Sequence, residues 1–130
     1  MNNNWLIDTD IAVDYLRGLP QATDFLEKAM EESACYLSTI TIAELYAGVR
    51  EGNERHQLEK FLQAFEIISI DENIAQAGGM YRRDYGKKYG VGLADAIIAA
   101  TAEMNNARLV TLNKKHFPML KNVFTPYSKQ

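Results

Sequence analysis

Apolar positions along this chain follow two alternating rhythms. Trp5-Leu6-Ile7, Cys35-Tyr36-Leu37-Ser38, the isoleucine-rich Phe65 to Ile70, and Arg108-Leu109-Val110-Thr111 are short runs of aliphatic and aromatic residues, the mark of buried strands. Between them the spacing changes to three and four. Ile11, Ala12, Tyr15 and Leu16 predict a helix over 11–17 that Gly18 and Pro20 end. Phe25, Leu26 and Ala29 predict another over 22–30. A third opens at Thr41-Ile42-Ala43-Glu44 and runs to about Arg50. After Gly52-Asn53, Leu58, Phe61, Leu62 and Phe65 line one side of a helix over 56–65.

Residues 72–89 read as one long helix despite Gly78-Gly79. Each glycine costs about 1 kcal/mol against alanine in a helix interior, and close approach of another helix would account for them. Gly86, Gly90 and Gly92 mark a loop. Leu93 to Asn105 is alanine-rich and apolar on several sides, so it predicts a buried helix. Residues 113–120 read as a loop or short helix, Asn122-Val123-Phe124 as a short fifth strand, and Ser128-Lys129-Gln130 as a loose end. Strands alternating with helices predict an α/β domain: a central parallel sheet of four to five strands with helices on both faces. With no repeat or linker, one domain spans 1–130.

Composition narrows the class. The chain has 130 residues, 47% hydrophobic and 24% charged, enough for a packed core. A net charge of −3 argues against binding nucleic acid by bulk charge, but leaves room for an acidic, metal-filled centre with local basic patches. Cys35 is the only cysteine and reads as a buried strand thiol. The polar start Met1-Asn2-Asn3-Asn4 lacks the features of a signal peptide, and no apolar run is long enough to span a bilayer. A cytoplasmic protein is the expectation.

Three acids meet strand-to-helix junctions, where ligand sites form in parallel α/β sheets. Asp8 follows the first strand; Thr9 or Asp10 can cap the next helix, which leaves Asp8 free to face a ligand. Glu44 has two competing uses, since Thr41-x-x-Glu44 is also a capping box. Asp95 stands out at the start of a helix as apolar as Ile97-Ile98-Ala99-Ala100, and a lone buried charge there needs a partner or a cleft. Clustered carboxylates need a cation, and a hard one held by oxygens is typically Mg2+ or Mn2+ acting on a phosphate ester. Asn113 can form a turn, offer an amide oxygen or hold a water. His116 reads as a loop residue, and the spacings match no zinc pattern. In Tyr81-Arg82-Arg83-Asp84-Tyr85-Gly86-Lys87-Lys88-Tyr89 cations alternate with rings. This is either a solvated helix face or a groove for single-stranded RNA, with Arg82, Arg83, Lys114 and Lys115 as the phosphate-facing cations and Lys121 added to the rim.

Leu6-Ile7-Asp8-Thr9-Asp10 with Asp14-Tyr15-Leu16-Arg17-Gly18, then Thr41 to Gly48, Leu93 to Ala100, and Leu109 to Phe117, taken in this order, resemble the PIN-domain family, and within it the VapC-type toxins of toxin–antitoxin pairs. The resemblance covers nearly the whole chain. It implies an α/β/α sandwich and a Mg2+- or Mn2+-dependent endoribonuclease. It also implies a homodimer and a VapB-like antitoxin whose tail covers the site. Asp8, Glu44 and Asp95 match the family's acidic metal positions, with Thr9, Asn113 and His116 in support. Asn113 stands where many members carry a fourth acid, which favours one tightly held ion. Cleavage leaving 5′-phosphate and 3′-hydroxyl ends is implied. The acidic pocket invites an antitoxin arginine, with Tyr15, Tyr46 and nearby apolar surface as candidates to hold its helix. Three rivals share parts of the pattern: a haloacid-dehalogenase-like phosphatase with Asp8 as nucleophile, a catalytically weak RNA- or partner-binding domain, and a phospho-receiver domain using Asp71.

Overall fold

Backbone pairing converts the short apolar runs into one sheet. The computed structural model describes residues 4–129; residues 1–3 of the polar amino terminus and Gln130 of the carboxyl end lie outside them. The strands are β1 (Asn4–Ile7), β2 (Ala34–Ser38), β3 (Glu66–Ile68) and β4 (Arg108–Val110). They are all parallel, in the order β3-β2-β1-β4. Leu6 is level with Tyr36 on one side and Leu109 on the other. The helices are α1 (Thr9–Leu16), α2 (Pro20–Glu32), α3 (Thr39–Ala47), α4 (Asn53–Leu62), α5 (Glu72–Tyr89) and α6 (Leu93–Met104).

Side chains alternate across a strand, and both faces of this sheet are apolar because both are covered. Ile7, Cys35, Leu37 and Val110 join Ile11, Leu26, Leu45, Leu58 and Phe61 in a core under α1 to α4. Leu6 and Leu109 turn the other way, onto Ile98, Ala99 and Ala102 of α6, with Phe117 and Val123. α5 packs on α6 rather than on the sheet. The result is the three-layer sandwich the sequence predicts. The Cys35 thiol is buried in the first core and held up at about 11, so it is an inert packing group.

Gly78 accounts for the glycines in α5. A Cβ there would lie 3.0 Å from the Ile97 Cα and 2.9 Å from its Cγ1, so the missing side chain lets α6 approach. Gly79 faces open space. Gly86 lies inside α5, not in a loop, and the left-handed Gly90 (φ 66°) ends that helix.

Three further expectations need correcting. Residues 122–124 form no fifth strand: a single bridge joins Phe124 to Val110, and two amides, Thr111 N–H to Phe124 C=O and Phe124 N–H to Leu109 C=O, cover that edge. Pro20 does not merely stop α1; it is the first residue of α2, where its missing N–H is not needed. Residues 128–129 are no loose end, because Lys129 Nζ reaches the buried Asp14 carboxylate at 2.9 Å beside the Tyr127 hydroxyl at 2.8 Å. Asp71, which follows the third strand, is the N-cap of α5 and takes the Ile74 N–H at 2.9 Å.

Candidate active site

The site lies past the carboxyl ends of β1 and β4. The chain leaves β1 toward β2 on one side while β4 joins from the other, and this divergence opens a crevice at that edge. Asp8 is pinned into it by its own N–H, which extends the ladder to the Val110 carbonyl at 2.9 Å. Its carboxylate then does two things. Oδ1 takes the Thr9 N–H at 2.8 Å and caps α1, and Oδ2 takes the Thr111 hydroxyl at 2.7 Å. The sequence poses capping and site-facing as alternatives for Asp8 and gives the cap to Thr9 or Asp10; the structure gives Asp8 both roles.

The two uses weighed for Glu44 are separated by one turn of register. α3 starts at Thr39, and Ser38 caps it by accepting the Ile40 N–H at 3.2 Å. Glu44 therefore sits too far into the helix to close a capping box. It reaches across instead, and the Thr9 hydroxyl donates to Oε1 at 2.6 Å. With that proton committed, the Thr41 hydroxyl 3.2 Å away is the donor to Thr9. Asp95, in the first turn of α6, is half-buried, with His116 Nδ1 3.5 Å from its Oδ2. His116 closes a short 3-10 turn, Lys114–His116, which brings its ring beside Asp95.

Two residues outside the sequence-based set belong here. Thr111 holds Asp8 and also accepts the Asn113 N–H at 3.1 Å. Asp10 Oδ2 receives the Leu112 N–H at 3.0 Å and Asn113 Nδ2 at 3.1 Å, so Asn113 spends its amide on Asp10. Each looks like an ordinary strand-end or turn residue in sequence. The signal for Asp10 was the doubled acid of Asp8-Thr9-Asp10.

The acids act on one another. Burial, then the charge of Asp10, then that of Asp95 push Asp8 up to about 7, against the pull of the Thr111 and Thr9 hydrogen bonds. Burial raises Asp10 as well. Asp95 is raised by burial and by Glu44, while His116 works the other way. Asp8, Asp10, Glu44 and Asp95 therefore share one electrostatic neighbourhood. Lys114 and Lys115 are exposed in the turn beside His116. Arg82 and Arg83 are exposed on α5; Arg83 is matched by Asp84 at 2.8 Å, and Arg82 lies over the buried Gly86. No contact among the described residues ties either arginine to the acids.

A profile of the PIN domain matches residues 5–121. The chain belongs to the PIN-domain family. This PIN domain is similar to ribonuclease VapC19 of Mycobacterium tuberculosis, 43% identical over 126 residues that cover 94% of this chain and 98% of the relative. It is also similar to ribonuclease VapC10 of the same organism, 35% identical over 95% of this chain and 92% of the relative. Among solved structures, a toxin–antitoxin complex from Klebsiella pneumoniae superposes with a TM-score of 0.81 at 32% identity, covering 95% of this chain and 98% of that one. VapBC2 from Rickettsia felis bound to a promoter DNA fragment superposes with a TM-score of 0.77 at 27% identity, with coverages of 93% and 96%.

The donor set of this PIN domain suits a hard cation. All the candidate donors are carboxylate oxygens, and Asp10 Oδ1 is buried without a hydrogen-bond partner. Among the described residues no three acidic, histidine or cysteine side chains are already closed around one point. Binding would draw the carboxylates in from their present hydrogen bonds. Beside the site, a groove of about 640 Å³ runs between α1, α3 and α4, with Glu44 at its edge and Leu16, Leu45, Val49 and Leu58 in its wall. Tyr15 and Tyr46 do not line it. Tyr15 stacks on Phe61 at 5.1 Å, and the Arg55 guanidinium lies over the Tyr46 ring at 5.9 Å. No helix among the described residues is long and apolar enough to cross a membrane.

Proposed function

We propose that this protein is a metal-dependent endoribonuclease and the toxin of a toxin–antitoxin pair, cutting RNA phosphodiester bonds with Mg2+ or Mn2+. The observation that carries the reading is the meeting of Asp8, Glu44 and Asp95, from three separated stretches of chain, at one sheet edge where burial and neighbouring carboxylates disfavour the charges of Asp8 and Asp95. Carboxylates so disfavoured gain most from a divalent cation. The relatives named as ribonucleases and the toxin–antitoxin complex of the same fold support the substrate and the partner.

Asp8 and Asp95 would hold the ion, and Glu44 would hold it or orient the attacking water. The ion supplies Lewis-acid stabilisation of the scissile phosphate and an acidified water. Thr9 fixes Glu44 through Oε1, which leaves Oε2 to take a proton from that water. Thr111 fixes Asp8, and Asn113 fixes the turn that carries His116 against Asp95. Lys114 and Lys115 steer the RNA backbone toward the crevice. Arg82 and Arg83 add more distant cations, Arg83 less than its formal charge because Asp84 offsets it. A VapB-like antitoxin lays an apolar segment in the groove beside Glu44 and brings an arginine to the acids. The chain works in the cytoplasm as one domain and pairs with a second copy; exposed Met80, Tyr89 and Leu93 on α5 and α6 offer apolar surface for that contact.

The test is incubation of the purified protein with a mixed RNA pool in Mn2+ or in EDTA, with end mapping. Manganese-dependent fragments with 5′-phosphate ends are expected, and Asp8→Asn or Asp95→Asn should abolish them while the protein stays folded. RNA binding without cleavage would favour a binding module, and phosphorylation of Asp8 a phosphatase.

A further inference from the structure

Asp10 is the acid at this edge that the mechanism leaves unassigned, and its two oxygens are treated differently. Oδ2 clamps the turn after β4 through the Leu112 N–H and Asn113 Nδ2; the Thr111 hydroxyl, 3.4 Å away, gives its one proton to Asp8 at 2.7 Å. Oδ1 is buried and receives no hydrogen bond. The Ile11 N–H leans toward the Asp10 carboxylate and pulls against its upward shift, but it makes its hydrogen bond to the Asp8 carbonyl at 3.2 Å. A buried acceptor left unpaired costs about 1–3 kcal/mol, and more when charged.

Clamping the turn does not require that charge. An asparagine at position 10 would accept the Leu112 N–H equally well. The helix dipole favours an acid in the first turn of α1, but by about 0.3–1 kcal/mol, less than the cost of the unpaired oxygen. The charge needs another use, and Asp10 is the charged neighbour that bears most strongly on Asp8.

We propose that Asp10 is a further carboxylate of the metal centre: Oδ2 locks the Thr111–Asn113 turn, Oδ1 carries negative charge toward the divalent cation, and Asn113 is the neutral partner that lets this acid hold its place. This rests on the metal-nuclease reading above. In that picture the centre needs one acid and one amide across the Asp10–Asn113 bond. The charge can move across that contact, because the double exchange rebuilds the bond with the amide at position 10 as donor, although the Leu112 N–H then loses the oxygen it shares with Asn113 now.

The experiment is Mn2+ affinity, by calorimetry or by the free-ion signal in electron paramagnetic resonance, for the full chain as wild type, Asp10→Asn, Asn113→Asp and the double exchange, with melting temperature in EDTA alongside. Asp10→Asn should weaken Mn2+ binding by about 10-fold to 100-fold, the range for losing a carboxylate that supports a metal centre, with little change in melting temperature. Asn113→Asp opposes two carboxylates across a 3.1 Å contact and should lower the melting temperature in EDTA. The double exchange should recover most of the Mn2+ affinity. Wild-type affinity in Asp10→Asn would overturn the proposal and leave Asp10 as a turn clamp. A double exchange as weak as Asp10→Asn would also overturn it, since the loss would then not follow the charge. If the wild type binds no Mn2+, the metal-nuclease reading fails, and this inference with it.

Discussion

The Thr9 hydroxyl donates to Glu44 Oε1 at 2.6 Å, joining residues 35 positions apart. Glu44 is exposed on α3, so this bond is what selects its rotamer. Replacing Thr9 by valine keeps the shape and removes the donor. Misplacing a catalytic group by about 1 Å can cost about 100-fold. Thr9→Val should therefore lower the RNA cleavage rate by about 10-fold to 100-fold, with Mn2+ affinity falling much less. Single-turnover cleavage beside Mn2+ titration separates the two, and an equal loss in both would show that Thr9 serves the metal instead.

Asp8 makes the metal-free protein sensitive to alkali. Its folded value, about 7, lies above that of an unfolded aspartate. The protonated form is thus favoured by folding, and this contribution is complete below about pH 4 and lost as pH rises through 7. Asp10 and Asp95 are raised in the same sense. In EDTA the melting temperature should fall between pH 5 and pH 8, and Asp8→Asn should flatten that fall, by up to roughly 4 kcal/mol of stability at pH 8. Manganese added at pH 8 should restore what alkali removes. A pH-independent melting temperature in EDTA would contradict the burial of Asp8.

What the sequence revealed depended on the range of the forces involved. Strands and helices were legible because apolar period is a local property; Leu6 and Ile7 face opposite cores, and both had to be apolar. The place of Asp8 followed from its position after β1, but Glu44 lies in the second turn of α3 and Asp95 follows α5 rather than a strand, so their approach to Asp8 is set by tertiary packing. Thr111 and Asp10 were not legible, because their partners lie about 100 residues away, Thr111 on Asp8 and Asp10 on Leu112 and Asn113. The capping ambiguity of Glu44 turned on α3 starting at Thr39, a boundary set by Ser38, which propensity does not fix. Lys129 reads as loose because sequence cannot show that Asp14, buried on α1, lies within its reach.

The two adjacent glycines of α5 should respond in opposite directions to alanine. At Gly78 the new Cβ meets the Ile97 backbone at 3.0 Å, which cannot give way without moving α6 and with it Asp95. Overpacking of this kind costs about 1–3 kcal/mol. At Gly79 the Cβ enters open space in an α-helix, where alanine gains about 1 kcal/mol over glycine. Chemical denaturation of Gly78→Ala and Gly79→Ala checks both signs, and only Gly78→Ala should also reduce RNA cleavage. Equal effects at the two positions would mean that α5 and α6 do not approach at Gly78.

Asp14 is 4% exposed on α1 and bonds Tyr127 at 2.8 Å and Lys129 at 2.9 Å. Burial first, then the hydrogen bond to Asp14 and its charge, keep the Tyr127 hydroxyl protonated, and thus a donor, well into the alkaline range. Removing that hydroxyl leaves a buried carboxylate oxygen short of one hydrogen bond, a loss of about 1–3 kcal/mol. Lys129 is about half exposed and solvent can replace it in part, so its loss should cost under about 1 kcal/mol. Tyr127→Phe should therefore destabilise the protein more than Lys129→Met. Because Asp14 lies on the helix that begins at Asp8, the phenylalanine variant should also loosen the amino-terminal turn of α1. Amide hydrogen exchange at residues 9–12 reads that coupling, and unchanged protection there would confine the effect of the Tyr127 and Lys129 contacts to the far end of α1.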